Sequence, residues 1–306
     1  MKKFDYYYVK AVGNMLSATE YLLKAFVPTK SRGLVKQLNV SYGDNKSHKL
    51  DIFYDPNSNT EKRPIFFYIH GGGFISGTRE LRRRYCTLMA RQGYYVVNVG
   101  YRLAPETHFP NQLNDVFKAI EWVLNKKEEL GLDDKKIVIA GESAGAYFAS
   151  YIAAITKDKS LYAQNNIDFQ LKNEFEVKAT VLINGAYGIE ILKSKVPFCK
   201  SYMKAFFDLK NEDLKKEEIL KKKIFSPLNY IKNDFPQTVV IRGKYDIFDI
   251  GTKSLLETLD NEKVKYSLYT TKGIAGLHAF SIIPISKDAV SAQYFTIKKL
   301  EKYLQE

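Results

Sequence analysis

The 306-residue sequence has few of the residue types that would support it from outside a hydrophobic core. Two cysteines, Cys86 and Cys199, are too few and too far apart for a disulfide framework or a thiolate metal site, and they suit a reducing compartment. Four scattered histidines do not supply the His and carboxylate set of a metal hydrolase. No run approaches the ~18 apolar residues of a membrane span. Met1-Lys2-Lys3 opens like a secretory leader, but Asp5, Lys10 and Asn14 interrupt its apolar stretch. A cytoplasmic protein is therefore expected. No internal repeat or low-complexity tract is present, and no Gly-Lys-Ser/Thr follows any glycine-rich stretch, which argues against a phosphate-cradling loop.

What the chain does contain is ample material for a core. Hydrophobic residues make up 45% and charged residues 26%, with 22 Tyr, 19 Phe and one Trp, as in a globular chain that needs no metal or disulfide. The formal charge of +13 comes mainly from lysine. Its dense run at Lys215, Lys216, Lys221, Lys222 and Lys223 alternates with Glu212, Glu217 and Glu218 at helical spacing. That pattern describes a solvated helix face and gives no footprint for nucleic acid.

Residues 1 to about 35 carry apolar side chains at the spacing of one or two helices ending before Pro28, with no strand before them. Gln37 to Tyr42 and Lys49 to Tyr54 alternate about Gly43-Asp44-Asn45, which predicts a hairpin with one exposed face at a sheet edge. Apolar runs at Pro64–Ile69, Tyr94–Val99, Ile137–Ala140, Val177–Ile183, Gln237–Ile241 and Val264–Tyr269 then alternate with helical segments. About eight strands, six of them in βα alternation, predict an α/β fold with a doubly wound, mostly parallel sheet.

Three local patterns carry chemistry. Gly141-Glu142-Ser143-Ala144-Gly145 joins a buried strand to an alanine-rich helix. The two glycines stand where side chains would collide with the neighbouring strand and helix, as an exposed nucleophile on a sharp turn requires. His70-Gly71-Gly72-Gly73-Phe74 follows another buried strand. Three consecutive glycines cost conformational entropy, and they fit backbone N–H groups that must approach an anion closely, as in an oxyanion hole. The third pattern is the base and its acid, because a serine hydroxyl needs a base held in one tautomer. His70 belongs to the glycine loop and shapes it by hydrogen bonding. His48 is expected to be solvated in an edge strand, and His108 sits in a polar turn. That leaves His278, after the last strand, as the base. Asp246, in the loop after the strand that ends at Ile241, is the preferred acid, with Asp249 close enough to compete.

These motifs, together with Tyr101-Arg102-Leu103-Ala104-Pro105-Glu106, Phe109-Pro110 and Ser226-Pro227-Leu228, resemble the hormone-sensitive-lipase-like family of α/β-hydrolases. The resemblance runs from about residue 36 to the end. It implies the α/β-hydrolase fold, a mostly parallel eight-stranded twisted sheet with helices on both faces and a small helical cap. It implies carboxylester hydrolysis through an acyl-enzyme, without a cofactor. Ser143 would be the nucleophile, His278 the general base and then acid, and Asp246 the orienting carboxylate. The N–H groups of Gly72, Gly73 and Ala144 would bind the oxyanion. Residues 1–35 and an insertion at about 186–230 would form the cap on a catalytic domain of residues 36–306. Two departures stand out: Glu142 where many members carry Asp, and Asp246-Ile247-Phe248-Asp249 where many relatives read Asp-Pro-Leu-x-Asp.

The expected partner is a small ester with a short acyl chain, since an aromatic cap suggests a small apolar pocket. A homodimer is compatible with the sequence, although no feature selects it. An amidase or peptidase would use the same triad. A ligand-binding protein on the hydrolase scaffold would be expected to have lost the base.

Overall fold

The computed structural model describes residues 3–23, 25, 27–58, 61–188, 199–210, 212–213, 225–273 and 276–306. The lysine run from 215 to 223 and much of the insertion expected at 186–230 lie outside the described residues.

Eight strands form one sheet: β1 (Val35–Ser41), β2 (Lys49–Tyr54), β3 (Arg63–Ile69), β4 (Tyr95–Val99), β5 (Leu132–Glu142), β6 (Val177–Ile183), β7 (Gln237–Arg242) and β8 (Tyr266–Thr270). Their order is β1-β2-β4-β3-β5-β6-β7-β8. The β1/β2 and β2/β4 pairs are antiparallel and the rest parallel. The described helices are α1 (Lys3–Leu23), α2 (Arg79–Ala90), α3 (Asn111–Leu124), α4 (Ala144–Lys157), α5 (Leu161–Gln164), α6 (Cys199–Phe207), α7 (Asp249–Asn261) and α8 (Lys287–Tyr303).

Strand periodicity divides the core in two. Ile65, Phe67 and Ile69 of β3, with Ile137 and Ile139 of β5, pack with α3, α4 and α7 on one face. Phe66 and Tyr68, with Val138 and Ala140, pack with α2 and α8 on the other. A strand covered on both faces must be apolar at every position, and this is why the central strands read as continuous hydrophobic runs.

Three expectations need correction. The second strand of the hairpin is not exposed on one face: positions 50–53 of β2 are all buried, because Leu50 and Ile52 pack into the core on one face of the sheet and Phe53 into the core on the other. The alternation comes from Asp51, which is buried and accepts bonds from the Asn39 N–H at 2.9 Å and Arg83 Nε at 2.8 Å. His48 is likewise buried, stacked on Tyr42 with Nε2 3.0 Å from Asp115 Oδ1. The polar segment Asp133–Lys136, ahead of the expected strand Ile137–Ala140, belongs to β5. The N-terminal region forms one helix, α1, which ends at Leu23, within the expectation of one or two helices ending before Pro28.

Helices α1 and α6 lie together over the end of the glycine loop. Val9, Ile75, Ala104 and Ala205 form a small core of their own, flanked by an Asp5–Lys204 ion pair at 2.8 Å. Beside it, Phe206 stacks on Phe74 at 3.8 Å and meets Phe109, Tyr147 and Phe148 edge-on. This aromatic cluster fastens α6 to α4 and to the loop after β3. Truncating Phe206, which is fully buried, to alanine should cost about 3–5 kcal/mol. Denaturant unfolding of Phe206→Ala would measure this, and a loss under about 1 kcal/mol would mean that the site collapses around the missing ring.

Candidate active site

Ser143 is the single residue between β5 and α4, with φ 53° and ψ −118°. Few residues with a side chain adopt that backbone, so the surrounding structure must hold it there. The Ser143 N–H donates to the Ile183 carbonyl at 2.9 Å, and its carbonyl accepts from Ala146 N at 3.1 Å and Ala186 N at 3.3 Å. The flanking glycines are sterically required. A Cβ on Gly145 would lie 2.0 Å from the Ile69 carbonyl oxygen, and one on Gly141 would lie 2.3 Å from the Gly145 carbonyl carbon. The helix therefore starts against the end of β3, which brings the glycine loop next to the serine.

That loop is shaped from both sides. His70 stacks on Tyr101 with ring centroids 4.4 Å apart, and its Nδ1–H donates to the Gly71 carbonyl at 2.8 Å. The Gly72 carbonyl accepts from Ser76 N at 3.0 Å and Ser76 Oγ at 2.7 Å. Positive φ angles at Gly72, Gly73 and Phe74 turn the chain back on itself. Among the described residues, the N–H groups of Gly72, Gly73 and Ala144 donate to no acceptor. Three unengaged amides beside a serine are suited to an oxyanion.

Glu142 is the residue whose importance the sequence conceals. Noted in the sequence only as a departure from Asp, it is buried and accepts from Tyr68 Oη at 2.6 Å, Gly71 N at 2.7 Å and Arg82 Nε at 2.7 Å. It thereby ties the serine turn to the first amide of the glycine loop. Burial would lower the pKa of Arg82, but Glu142 and Glu20 outweigh it and raise it instead.

His278 and Asp246 come together as expected. His278 Nδ1 lies 2.8 Å from Asp246 Oδ1, so the carboxylate holds the proton on Nδ1 and leaves Nε2 as the basic nitrogen. Asp246 also accepts from Phe248 N at 2.9 Å and from Asn184 Nδ2 at 2.7 Å. Asn184, at the end of β6, and Phe248, whose ring meets His278 edge-on at 4.9 Å, were not singled out from the sequence. Asp249 faces elsewhere, in a two-pronged pair with Arg242 at 2.6 and 2.7 Å and near Lys253 at 3.0 Å. Burial would raise its pKa, but the bonds from Arg242 and Lys253 outweigh it and hold the carboxyl below the usual range. His108 donates its Nδ1–H to the Ala205 carbonyl at 2.7 Å, which links its turn to α6.

Ser143, Gly72, Gly73 and His278 open on one cavity of about 750 Å³. Its walls are mostly apolar, with Leu16 and Leu23 from α1, Tyr202 and Met203 from α6, and Ile283 from the loop before α8. The expected pocket was apolar and small; this one is apolar but large enough for a drug-sized ligand. Residues of α1 and of the 277–286 segment both line it. Among the described residues, no group of His, Cys, Asp and Glu could hold a metal ion, and no helix is long and apolar enough to cross a membrane.

Two outcomes follow from this geometry. Asp246→Asn should lower kcat by about 10⁴, because the amide favours the wrong imidazole tautomer, whereas Asp249→Asn should leave it within a few-fold. Steady-state kinetics that reversed this order would move the acid to Asp249. The second outcome concerns His70, whose pKa is pushed down from 6.5 to about 3 by burial, with Arg82 and Arg79 adding to the effect. Below pH 6.5 the unfolded chain takes up a proton at His70 that the folded chain refuses. His70 therefore contributes stability that is present above pH 6.5 and is lost as pH falls toward 3, at up to about 1.4 kcal/mol per pH unit. Denaturant midpoints from pH 7.5 to 4.5 should fall more steeply for the wild type than for His70→Asn, and equal slopes would contradict this account.

Comparison with known proteins agrees with the geometry. The BD-FAE family model matches residues 50–254. An acetyl esterase of Salmonella schwarzengrund is 27% identical over 247 residues, covering 76% of this chain and 71% of that protein. Esterase LipC of Mycobacterium tuberculosis is 29% identical over 163 residues, covering 53% of this chain but only 39% of its own length. In fold, the crystal structure of esterase B from Lactobacillus rhamnosis superposes with a TM-score of 0.85 at 20% identity, over 99% of this chain and 96% of that one. With the family model spanning well over half of the sequence, and an α/β-hydrolase sheet beneath the serine turn and glycine loop, the chain belongs to the BD-FAE family, among the hormone-sensitive-lipase-like α/β-hydrolase esterases.

Proposed function

We propose that the protein is a serine carboxylesterase acting on small esters with short acyl chains. The observation that carries this reading is the 2.8 Å contact between His278 and Asp246, on the same cavity as Ser143 and the unengaged amides of the glycine loop. In the first half-reaction, Ser143 Oγ attacks the ester carbonyl carbon while His278 Nε2 takes its proton. The tetrahedral oxyanion sits between the N–H groups of Gly72, Gly73 and Ala144, each worth about 3 kcal/mol to the transition state. His278 then passes the proton to the leaving alkoxide, and the alcohol departs from an acyl-Ser143. Water, deprotonated by His278, attacks the acyl carbon, and collapse of the second intermediate returns the proton to Ser143. Asp246 keeps the imidazole in one tautomer and stabilises the imidazolium.

The preference for a short acyl chain rests on Tyr202. Its ring lies so close to the glycine loop that a Cβ on Gly73 would be 3.1 Å from it, which leaves little depth beside the oxyanion site. The remaining volume, between Leu16, Leu23 and Ile283, suits a bulkier alcohol. On this reading α1 and α6 act as the cap. Cys86 and Cys199 are buried thiols and form no disulfide with each other, which supports assignment to a reducing, cytoplasmic compartment.

Hydrolysis of p-nitrophenyl esters from acetate to palmitate tests the proposal. Activity should concentrate on acetate to butyrate and fall by about 10⁴ or more in Ser143→Ala, and Tyr202→Ala should move the optimum to longer chains. Activity absent on every ester, or unchanged in Ser143→Ala, would sink the esterase reading. Turnover confined to p-nitroanilides would make the protein an amidase.

A further inference from the structure

The glycine loop is pinned at both ends by carboxylates, and the two carboxylates share one guanidinium. At its start, Gly71 N donates to Glu142 Oε1 at 2.7 Å. At its end, Thr78 N donates to Glu20 Oε2 at 2.9 Å. Arg82 bridges the two, with Nε 2.7 Å from Glu142 Oε1 and NH1 bonded to Glu20 Oε2. The Arg82 side chain is only 4% exposed, so it depends on these anions for neutralisation. Thr78 is the N-cap of α2, yet its side chain makes no capping bond, and the carboxylate that meets its N–H comes from a different helix. Glu20 belongs to α1, whose close approach is set at Gly13, where a Cβ would lie 2.3 Å from the Ile75 carbonyl oxygen.

We propose that Glu20 is a positioning residue for the oxyanion loop, so that docking of the N-terminal helix completes the catalytic centre as well as covering it. The proposal rests on the ester-hydrolase reading of the site. When α1 is seated, Glu20 holds Thr78 and loads Arg82, Arg82 fixes Glu142, and Glu142 fixes Gly71. The loop between Gly71 and Thr78 then presents the Gly72 and Gly73 amides at a set distance from Ser143. Without the Glu20 charge, Arg82 keeps one carboxylate of two, and the far end of the loop loses its acceptor or binds it more weakly.

The test is Glu20→Gln, which keeps an acceptor for the Thr78 N–H and removes the charge from Arg82. A misplacement of about 1 Å at a catalytic centre costs about 100-fold, so kcat on p-nitrophenyl acetate should fall roughly 10- to 100-fold with KM within about twofold. The rate of Ser143 phosphonylation by a p-nitrophenyl phosphonate should fall in parallel. Lys10→Met, which removes the exposed Lys10–Glu106 pair elsewhere on α1, should leave kcat unchanged. In an Arg82→Lys background, Glu20→Gln should add little, since both act through the same chain of contacts.

Amide hydrogen exchange reads the clamp without turnover. In Glu20→Gln, residues 71–78 should exchange faster relative to β6. Unchanged exchange there, or a shift in KM with kcat intact, would overturn the proposal and leave Glu20 as a wall of the cavity. A wild type without ester turnover would instead sink the esterase reading, and the exchange comparison would still decide whether Glu20 holds the loop.

Discussion

The whole site depends on a carboxylate buried immediately before Ser143. Glu142 is 1% exposed, and a charge so placed is tolerable only if each oxygen meets fixed donors. Tyr68, Gly71 and Arg82 meet that demand. Because the donors come from β3, from the loop after it and from α2, satisfying one anion fixes three elements relative to the serine turn. The same bonds stabilise the core and shape the reaction centre. Arg82 in turn brings a second buried charge, which draws Glu20 and the N-terminal helix into the network.

The sheet decides which loops can meet. Strands β3, β5, β6 and β7 run parallel and adjacent, so the segments after Ile69, Glu142, Ile183 and Arg242 all emerge at one end. In doubly wound sheets this end is where crevices form. The glycine loop, Ser143, Asn184 and Asp246 occupy those four exits. The exit after β8 supplies His278, and its ring is reached by the Asp246 carboxylate from the neighbouring exit. Asn184 has φ 44°, a left-handed conformation that Asn tolerates better than most residues, and from there its amide reaches Asp246.

What was legible in the sequence was what sterics and local order dictate. The glycines flanking Ser143 are there because a Cβ would strike Ile69 or Gly145, and such a requirement leaves a mark at fixed spacing. The five inner parallel strands, β3 to β7, leave a similar mark as mostly apolar runs, whereas β8 at the sheet edge has no buried position. Illegible were the contacts between polar residues far apart in the chain. Arg82 sits in Arg79-Glu80-Leu81-Arg82-Arg83-Arg84, a stretch that reads as a solvated helix face. It is buried because its partners Glu142 and Glu20 lie 60 and 62 residues away. His48 was misread for the same reason, since Asp115 approaches it from α3. The size of the cavity was hidden too, because its walls come from α1, α6 and the 277–286 segment, far apart in the chain, and no local pattern encodes how they meet.

The two acids around Ser143 share a construction that explains why each is hard to replace. Glu142 accepts the backbone N–H of Gly71, and Asp246 accepts the backbone N–H of Phe248. Each carboxylate therefore fixes the course of a loop while it performs its electrostatic task. Asp246 meets a neutral amide, a backbone N–H and the imidazole, and among the described residues no guanidinium or ammonium is in contact with it. The nearby guanidinium of Arg242 is taken up by Asp249 in a two-pronged pair. That pairing commits the Asp249 carboxylate away from His278 and leaves Asp246 as the carboxylate in contact with the imidazole.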